Sequence, residues 1–265
     1  MSSRGGVRYG WDHPLTAERY AAFCARPTRY HFANQELARA AEIGTARSLI
    51  DFAAGLGHTA EALLAHEREL RITCVEPAAA MREAGQRRLG DPRVSWAAEL
   101  PASGVFDRVV CGAGLWQADD LSATLRKLSA LLAADGRLCF TIPSLYLRIP
   151  DRPGGGADPL LVGLFAALAK GRSAPEASLA PLPSEEELAA LLAECGLSPQ
   201  LERLEYRLTQ RELRDWLRIP VLTDALLGDL AAEARDALID AAFAATDAQS
   251  YRFEGWTVVS AQRRV

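Results

Sequence analysis

The sequence predicts an α/β protein built on one mostly parallel sheet of seven strands with helices on both faces. Three observations carry that prediction. From Ser48 onward, short β-rich runs alternate with segments of helical period, the signature of a parallel sheet with crossover helices. The first run leads straight into a glycine-bearing turn, Asp51-Phe-Ala-Ala-Gly-Leu-Gly57. After the fifth run, one more helix and strand are followed by a closing apolar run, GWTVVSAQR, that suits a last strand entering antiparallel.

The elements follow in order. Residues 1–45 read as helical and polar, broken at His13-Pro14 and Arg26-Pro27. The five strands of the core are SLIDFA, RITCVE, RVSWAA, FDRVVCG and RLCFTI, within residues 46–143. Between them, Ala60, Leu63 and Leu64 share one helical face, and Leu121, Leu125, Leu128 and Leu132 share another. Pro77 suits the first turn of the helix after the second strand, and Asp135-Gly136 suits a turn before the fifth. Residues 144–183 are proline-rich with a Gly-Gly-Gly run and an apolar helical piece from Leu160 to Leu168, which reads as an inserted cap or lid. Regular structure resumes in 184–265. Ser184 and Glu187 form a capping box for a helix that buries Leu188, Leu191, Leu192 and Cys195 and stops at Gly196. A strand over about 200–208 precedes a second box, Thr209 with Glu212, which opens a helical insertion over about 209–248.

Composition bounds the function. At 265 residues, 49% hydrophobic and 24% charged, the chain can bury a sizeable core. A net charge of −4 without a Lys/Arg cluster argues against a nucleic-acid partner. No apolar run approaches the ~20 residues of a membrane span, and the start lacks the apolar stretch of a signal peptide. Five scattered cysteines suggest neither a zinc site nor disulfides, so free thiols in a cytoplasmic protein are expected, and no metal site.

The stretch that carries chemistry is the turn after the first strand. Gly55 and Gly57 permit a tight turn and close approach of a ligand, and the helix that follows points its first N–H groups at that ligand. Glu76, nineteen residues on, ends the second strand, where a carboxylate can accept hydrogen bonds from both hydroxyls of a ribose. Gly55-x-Gly57-x-x-Ala60 with Glu76 also fits a dinucleotide fingerprint, hence an NAD-dependent oxidoreductase. Asp51 weighs against it: a carboxylate four residues before Gly55 would repel a pyrophosphate and attract a cationic ligand. A second nucleotide-binding half is also missing from the pattern.

The ordered series LIDFAAGLGHTA, ITCVEPAAAM, WAAELP, FDRVVCGAGLWQADD and LAADGRLCFTIPS resembles the motifs of class I S-adenosylmethionine (SAM) dependent methyltransferases, a Rossmann-like fold. The likeness is nearest to the small-molecule branch of ubiquinone/menaquinone-type and trans-aconitate-type enzymes. It covers residues 48–143 well and 184–262 loosely. It implies a SAM-binding loop of Asp51, Ala53, Gly55 and Gly57, with Glu76 on the ribose and Pro77 and Met81 on the adenine side. It implies that Ala98, Glu99 and Leu100 flank the adenine and that Cys111, Leu115 and Trp116 close the site. Ala53 stands where the first glycine is commonest and Leu56 where Thr or Ser is usual. No acid stands clearly where one often caps the adenine amino group.

Tyr20, Tyr30 and His31 are the candidate catalytic groups because the N-terminal segment folds over SAM in that family; His13 and Arg29 are weaker ones. The resemblance implies methyl transfer to a small-molecule acceptor, with S-adenosylhomocysteine as product, by a monomer or homodimer. The caps, with Phe165, Trp216 and Phe243, suggest a partly apolar acceptor. The alternative is a protein of this fold that binds SAM or S-adenosylhomocysteine without methylating, as a regulator or a cyclase.

Overall fold

The computed structural model describes residues 9–147, 166, 168, 183–244, 246 and 251–264. Two helices, α1 (Pro14–Cys24) and α2 (Arg29–Ala40), precede the sheet. The strands are β1 (Ser48–Phe52), β2 (Arg71–Val75), β3 (Val94–Ala97), β4 (Phe106–Gly112), β5 (Leu132–Pro143), β6 (Leu197–Thr209) and β7 (Tyr251–Arg263). They lie in the order β3-β2-β1-β4-β5-β7-β6. β1 to β5 run parallel, and β7 is antiparallel to both β5 and β6.

Each central strand is apolar on both faces because helices cover both. In β1, Leu49 packs toward α2 and α3 (His58–Leu64), while Ile50 packs toward α5 (Leu121–Ala130) and α6 (Glu185–Glu194). Val109 and Val110 divide the same way in β4, as do Leu138 and Cys139 in β5. Cys74, Cys111 and Cys139 are buried free thiols on strands and behave as small hydrophobes.

Three expectations are corrected. The helix α4 (Ala79–Arg88) begins two residues after Pro77, because Glu76 accepts the Ala78 N–H and Asp12 accepts the Ala79 N–H. Asp135-Gly136 is not a separate turn. β5 already starts at Leu132, and the pair lies in the irregularity between the Phe106–Leu132 and Arg108–Arg137 pairings. The Thr209 box is half formed: its hydroxyl accepts the Glu212 N–H, but the Glu212 carboxylate turns to Arg29. The Ser184 box is complete.

Beyond Thr209 come α7 (Gln210–Leu217), α8 (Pro220–Leu227) and α9 (Ala232–Ala244), built around Leu213, Leu217, Leu227, Ile239 and Phe243. Leu168 is buried with them; the rest of the expected cap over 144–183 beyond Leu147, with Leu160 and Phe165, lies outside the described residues apart from Ala166, Pro183 and Leu168. The cap helices are tied to the N-terminal helices through charge. Asp224 in α8 pairs with Arg235 in α9 at 2.7 Å, the Arg235 guanidinium stands 4.5 Å from the Tyr9 ring, and Arg19 meets Asp236 at 2.8 Å.

Candidate functional site

The strand order reverses between β1 and β4, and there, at the carboxyl ends of the parallel strands, the chain forms a cleft of about 270 Å³. Its floor comes from Phe52, Ala53 and Gly55 after β1, Glu76 and Pro77 after β2, and Gly112, Ala113 and Gly114 after β4. Trp116, Gln117, Ala118 and Thr124 form one wall. Trp11, Tyr20 and Tyr30 from the N-terminal segment form another, and Leu222 reaches in from α8.

The loop after β1 is shaped by three left-handed residues, Ala53 (φ 55°), Gly55 (φ 55°) and Gly57 (φ 77°). The Gly57 N–H donates to the Ala54 carbonyl at 2.8 Å, and Gly57 then caps α3. The two glycines differ in role. A Cβ on Gly55 would meet only Met81 Cε at 3.6 Å and Tyr20 Cε1 at 3.9 Å, so that backbone is open to a ligand. A Cβ on Gly57 would meet Leu89 and Trp96 at 3.0–3.2 Å, so Gly57 faces the core and does not line the cleft.

Asp51 sits under this loop, fully buried, with neither carboxyl oxygen in a hydrogen bond of standard geometry. Burial pushes its pKa up to about 8; the Ala60 backbone N–H opposes the shift and neighbouring Glu76 adds to it. Glu76 lines the cleft. Its Oε2 accepts the Gly55 N–H at 2.8 Å and its Oε1 the Ala78 N–H at 2.9 Å. Burial raises its pKa too, against those two hydrogen bonds. Each oxygen retains a lone pair for a further donor.

Of the residues expected to bind cofactor, Ala53, Gly55, Glu76, Pro77, Met81 and Trp116 line the cleft. Asp51, Gly57, Cys111 and Leu115 lie behind it, the last three as packing. Ala98 and Glu99 are exposed outside it, and Leu100 packs against the core. They miss because β3 ends at Ala97, and the strand's inward residue there, Trp96, packs under the loop against Gly57 and Gly85.

The candidate catalytic groups also separate. Tyr20 and Tyr30 line the cleft. Burial first, then Cys24 and Tyr30, holds the Tyr20 phenol well above its ordinary range. Burial raises Tyr30 as well, opposed by Arg29 and by the Trp216 Nε1–H, which donates to its oxygen at 3.1 Å. Both are protonated at neutral pH. His31 is exposed on α2 beside Gln35, outside the cleft. His13 caps α1, its Nδ1 accepting the Leu15 N–H at 3.1 Å. Arg29 is buried between Glu254 (2.9 Å) and Glu212 (3.5 Å) with its guanidinium 4.8 Å from the Trp216 ring.

Among the lining residues that sequence reasoning missed are Trp11, Phe52, Gly112, Ala113, Gly114 and Leu222. The Gly-Ala-Gly run ending β4 was a usable signal: a Cβ on Gly112 would stand 2.3 Å from Thr59 Oγ1, and one on Gly114 2.5 Å from the Ala53 methyl. Trp11 and Leu222 carried none as single residues, since only folding brings them to the cleft.

The arrangement suits a cationic nucleoside ligand. Among the described residues the one charged side chain lining the cleft is Glu76, and no Arg or Lys is present to meet a pyrophosphate. Among the described residues no group of three His, Cys, Asp or Glu is placed to hold a metal, and no helix is long and apolar enough to cross a membrane.

A nucleoside-binding α/β fold of this strand order, with an acid-floored cleft, defines the class. Residues 50–138 match the family model described as a methyltransferase domain, and the sheet has the Rossmann-like methyltransferase fold. That family has SAM as its cofactor. The fold is similar to the [4+2]-cyclase SpnF (14% identity, TM-score 0.62, 99% of this chain and 100% of that one). It is similar to YcgJ from Bacillus subtilis (16%, TM-score 0.58, 89% and 99%). It is also similar to a phosphoethanolamine N-methyltransferase of Haemonchus contortus in complex with phosphomonomethylethanolamine and S-adenosylhomocysteine (16%, TM-score 0.58, 95% and 58%). No curated protein sequence matches the chain.

Proposed function

We propose that the protein transfers a methyl group from SAM to a small-molecule acceptor. The observation that carries this reading is the cleft at the β1–β4 reversal, whose charged lining among the described residues is Glu76 alone, with Asp51 buried beneath the glycine loop. When bound, SAM supplies a methyl group already activated by its sulfonium, so the protein's task is placement. Glu76 accepts the ribose hydroxyls through the lone pairs that Gly55 and Ala78 leave free. Ala53, Gly55, Pro77, Met81 and Trp116 bound the cofactor, and Gly57, Cys111 and Leu115 brace that wall from behind. Tyr20 and Tyr30, kept protonated, orient by hydrogen bonding, so the acceptor atom must arrive with its lone pair free or lose its proton elsewhere. His31 has no part in it.

The cap helices over 210–244 supply the acceptor pocket, set on a core of 46–143 and closed by the N-terminal helices, and most of the expected cap at 144–183 lies outside the described residues. Leu222 in the cleft supports an acceptor with an apolar part. A cytoplasmic monomer or homodimer without nucleic acid completes the proposal. A second reading, a SAM-fold protein that binds cofactor and does not methylate, is favoured by the full-length likeness in fold to a cyclase. Calorimetric titration with SAM and S-adenosylhomocysteine tests the shared part. Micromolar binding lost in Asp51→Ala and Glu76→Ala supports it, and no binding to folded wild type overturns it. Methylated product from an acceptor panel then separates the two readings.

A further inference from the structure

The adenine side of the cleft lacks the wall that the segment after β3 was expected to supply, since Ala98 and Glu99 are exposed elsewhere. Its wall comes instead from the N-terminus. Trp11 lines the cleft together with Pro77, Ala78 and Met81, the residues that follow Glu76. Two contacts hold it there. Asp12 Oδ1 accepts the Ala79 N–H at 2.5 Å, pinning the chain beside Trp11 to the start of α4. The Tyr20 ring stands edge-on to the indole, centroids 5.9 Å apart at 86°. Behind them Ala17 of α1 packs with Leu56, Ala78 and Met81.

We infer that Trp11 is the aromatic platform for the adenine ring of the cofactor and that Asp12 is its positioning residue. The inference rests on the SAM reading above. A purine is a flat, polarisable ring, and an indole that lines the cleft and packs on the cluster holding the Met81 thioether is a surface on which such a ring stacks. Stacking needs no acid aimed at the exocyclic amine, which accounts for a cleft that carries none at the expected place after β3. Asp12 does its work at a distance: by capping α4 it ties Trp11 to the same helix start that Glu76 organises.

The test is calorimetric titration of wild type, Trp11→Ala, Trp11→Phe, Asp12→Ala and Asp12→Asn with S-adenosylhomocysteine and with 5′-methylthioadenosine, which lacks the amino-acid end. Trp11→Ala is expected to weaken both ligands by the same factor, about tenfold to a hundredfold, and Trp11→Phe by about threefold or less. Asp12→Ala falls between them, and Asp12→Asn, which keeps an acceptor for the Ala79 N–H, recovers most of the loss. Affinity for both ligands unchanged in Trp11→Ala overturns the inference while leaving the cofactor reading intact. No binding of either ligand to wild type overturns the cofactor reading and this inference with it. Should Trp11→Ala not fold, tryptophan fluorescence decides: quenching by S-adenosylhomocysteine must fall in Trp11→Phe to the part that Trp116 contributes, read from Trp116→Phe, and quenching equal to wild type overturns the assignment.

Discussion

Ala53 occupies a left-handed backbone conformation that an L side chain enters at a cost of about 1 kcal/mol, and its methyl fills the space against which Gly114 packs. Substitution at the two positions must therefore couple. Gly114→Ala is expected to cost about 1–3 kcal/mol in urea denaturation through the 2.5 Å clash, and adding Ala53→Gly should return a good part of that loss. Additive effects would show that the loop and the β4 end do not touch as described. Asp51 makes a different demand. With its pKa raised from the ordinary 3.8 to about 8, the folded state holds a proton that the unfolded state has already released. The folded protein thus binds more protons between those values, and stability falls as pH rises from about 4 to about 8. Asp51→Asn should flatten that slope, and thermal midpoints of both proteins across pH 5 to 8.5 check it; parallel curves would sink the argument. A cationic ligand favours the ionised carboxylate, so SAM affinity should rise over the same range. Both acids were legible in the sequence from their places at strand ends. The raised pKa of Asp51 was not, since it depends on how Ala60 and the Cys74 and Val110 neighbours close around it.

At the level of elements, what joins the cap to the core is a buried cation. Arg29 opens α2, its backbone N–H donates to Glu212 at 2.8 Å, and its guanidinium is 2% exposed between Glu212 of α7 and Glu254 of β7. Burial alone would lower its pKa, and the two carboxylates more than reverse that. Arg29→Ala leaves two partly buried carboxylates facing each other, so a loss of about 3–5 kcal/mol in urea denaturation is expected. The cost should shrink sharply when Glu212→Gln and Glu254→Gln accompany it, because no unpaired charge then remains. A small effect of Arg29→Ala alone would mean that the guanidinium is dispensable. The sequence pointed to a capping box at Thr209 and Glu212, and local chemistry does supply half of it. The other half was lost to a charge 183 residues away, which local pattern cannot report. The Ser184 box formed whole because its glutamate reaches its own helix start unchallenged.

Over the whole molecule, the strand order places the carboxyl ends of β1, β2 and β4 side by side, and a site at that edge follows from the topology alone. The sequence by itself determined the periodic elements, the seven-strand series with its antiparallel end, the glycine turn and the acid at the end of β2. These depend on contacts within a few residues or on a repeat that local sterics and burial enforce. Only the tertiary structure decided which residues share the cleft. It turned Gly57 inward, left Ala98, Glu99 and His31 outside, held two tyrosines protonated, and brought Trp11 and Leu222 into one cleft with the glycine loop. Those outcomes turn on the direction in which side chains emerge once distant segments pack, and on the desolvation that packing creates, neither of which a one-dimensional pattern contains.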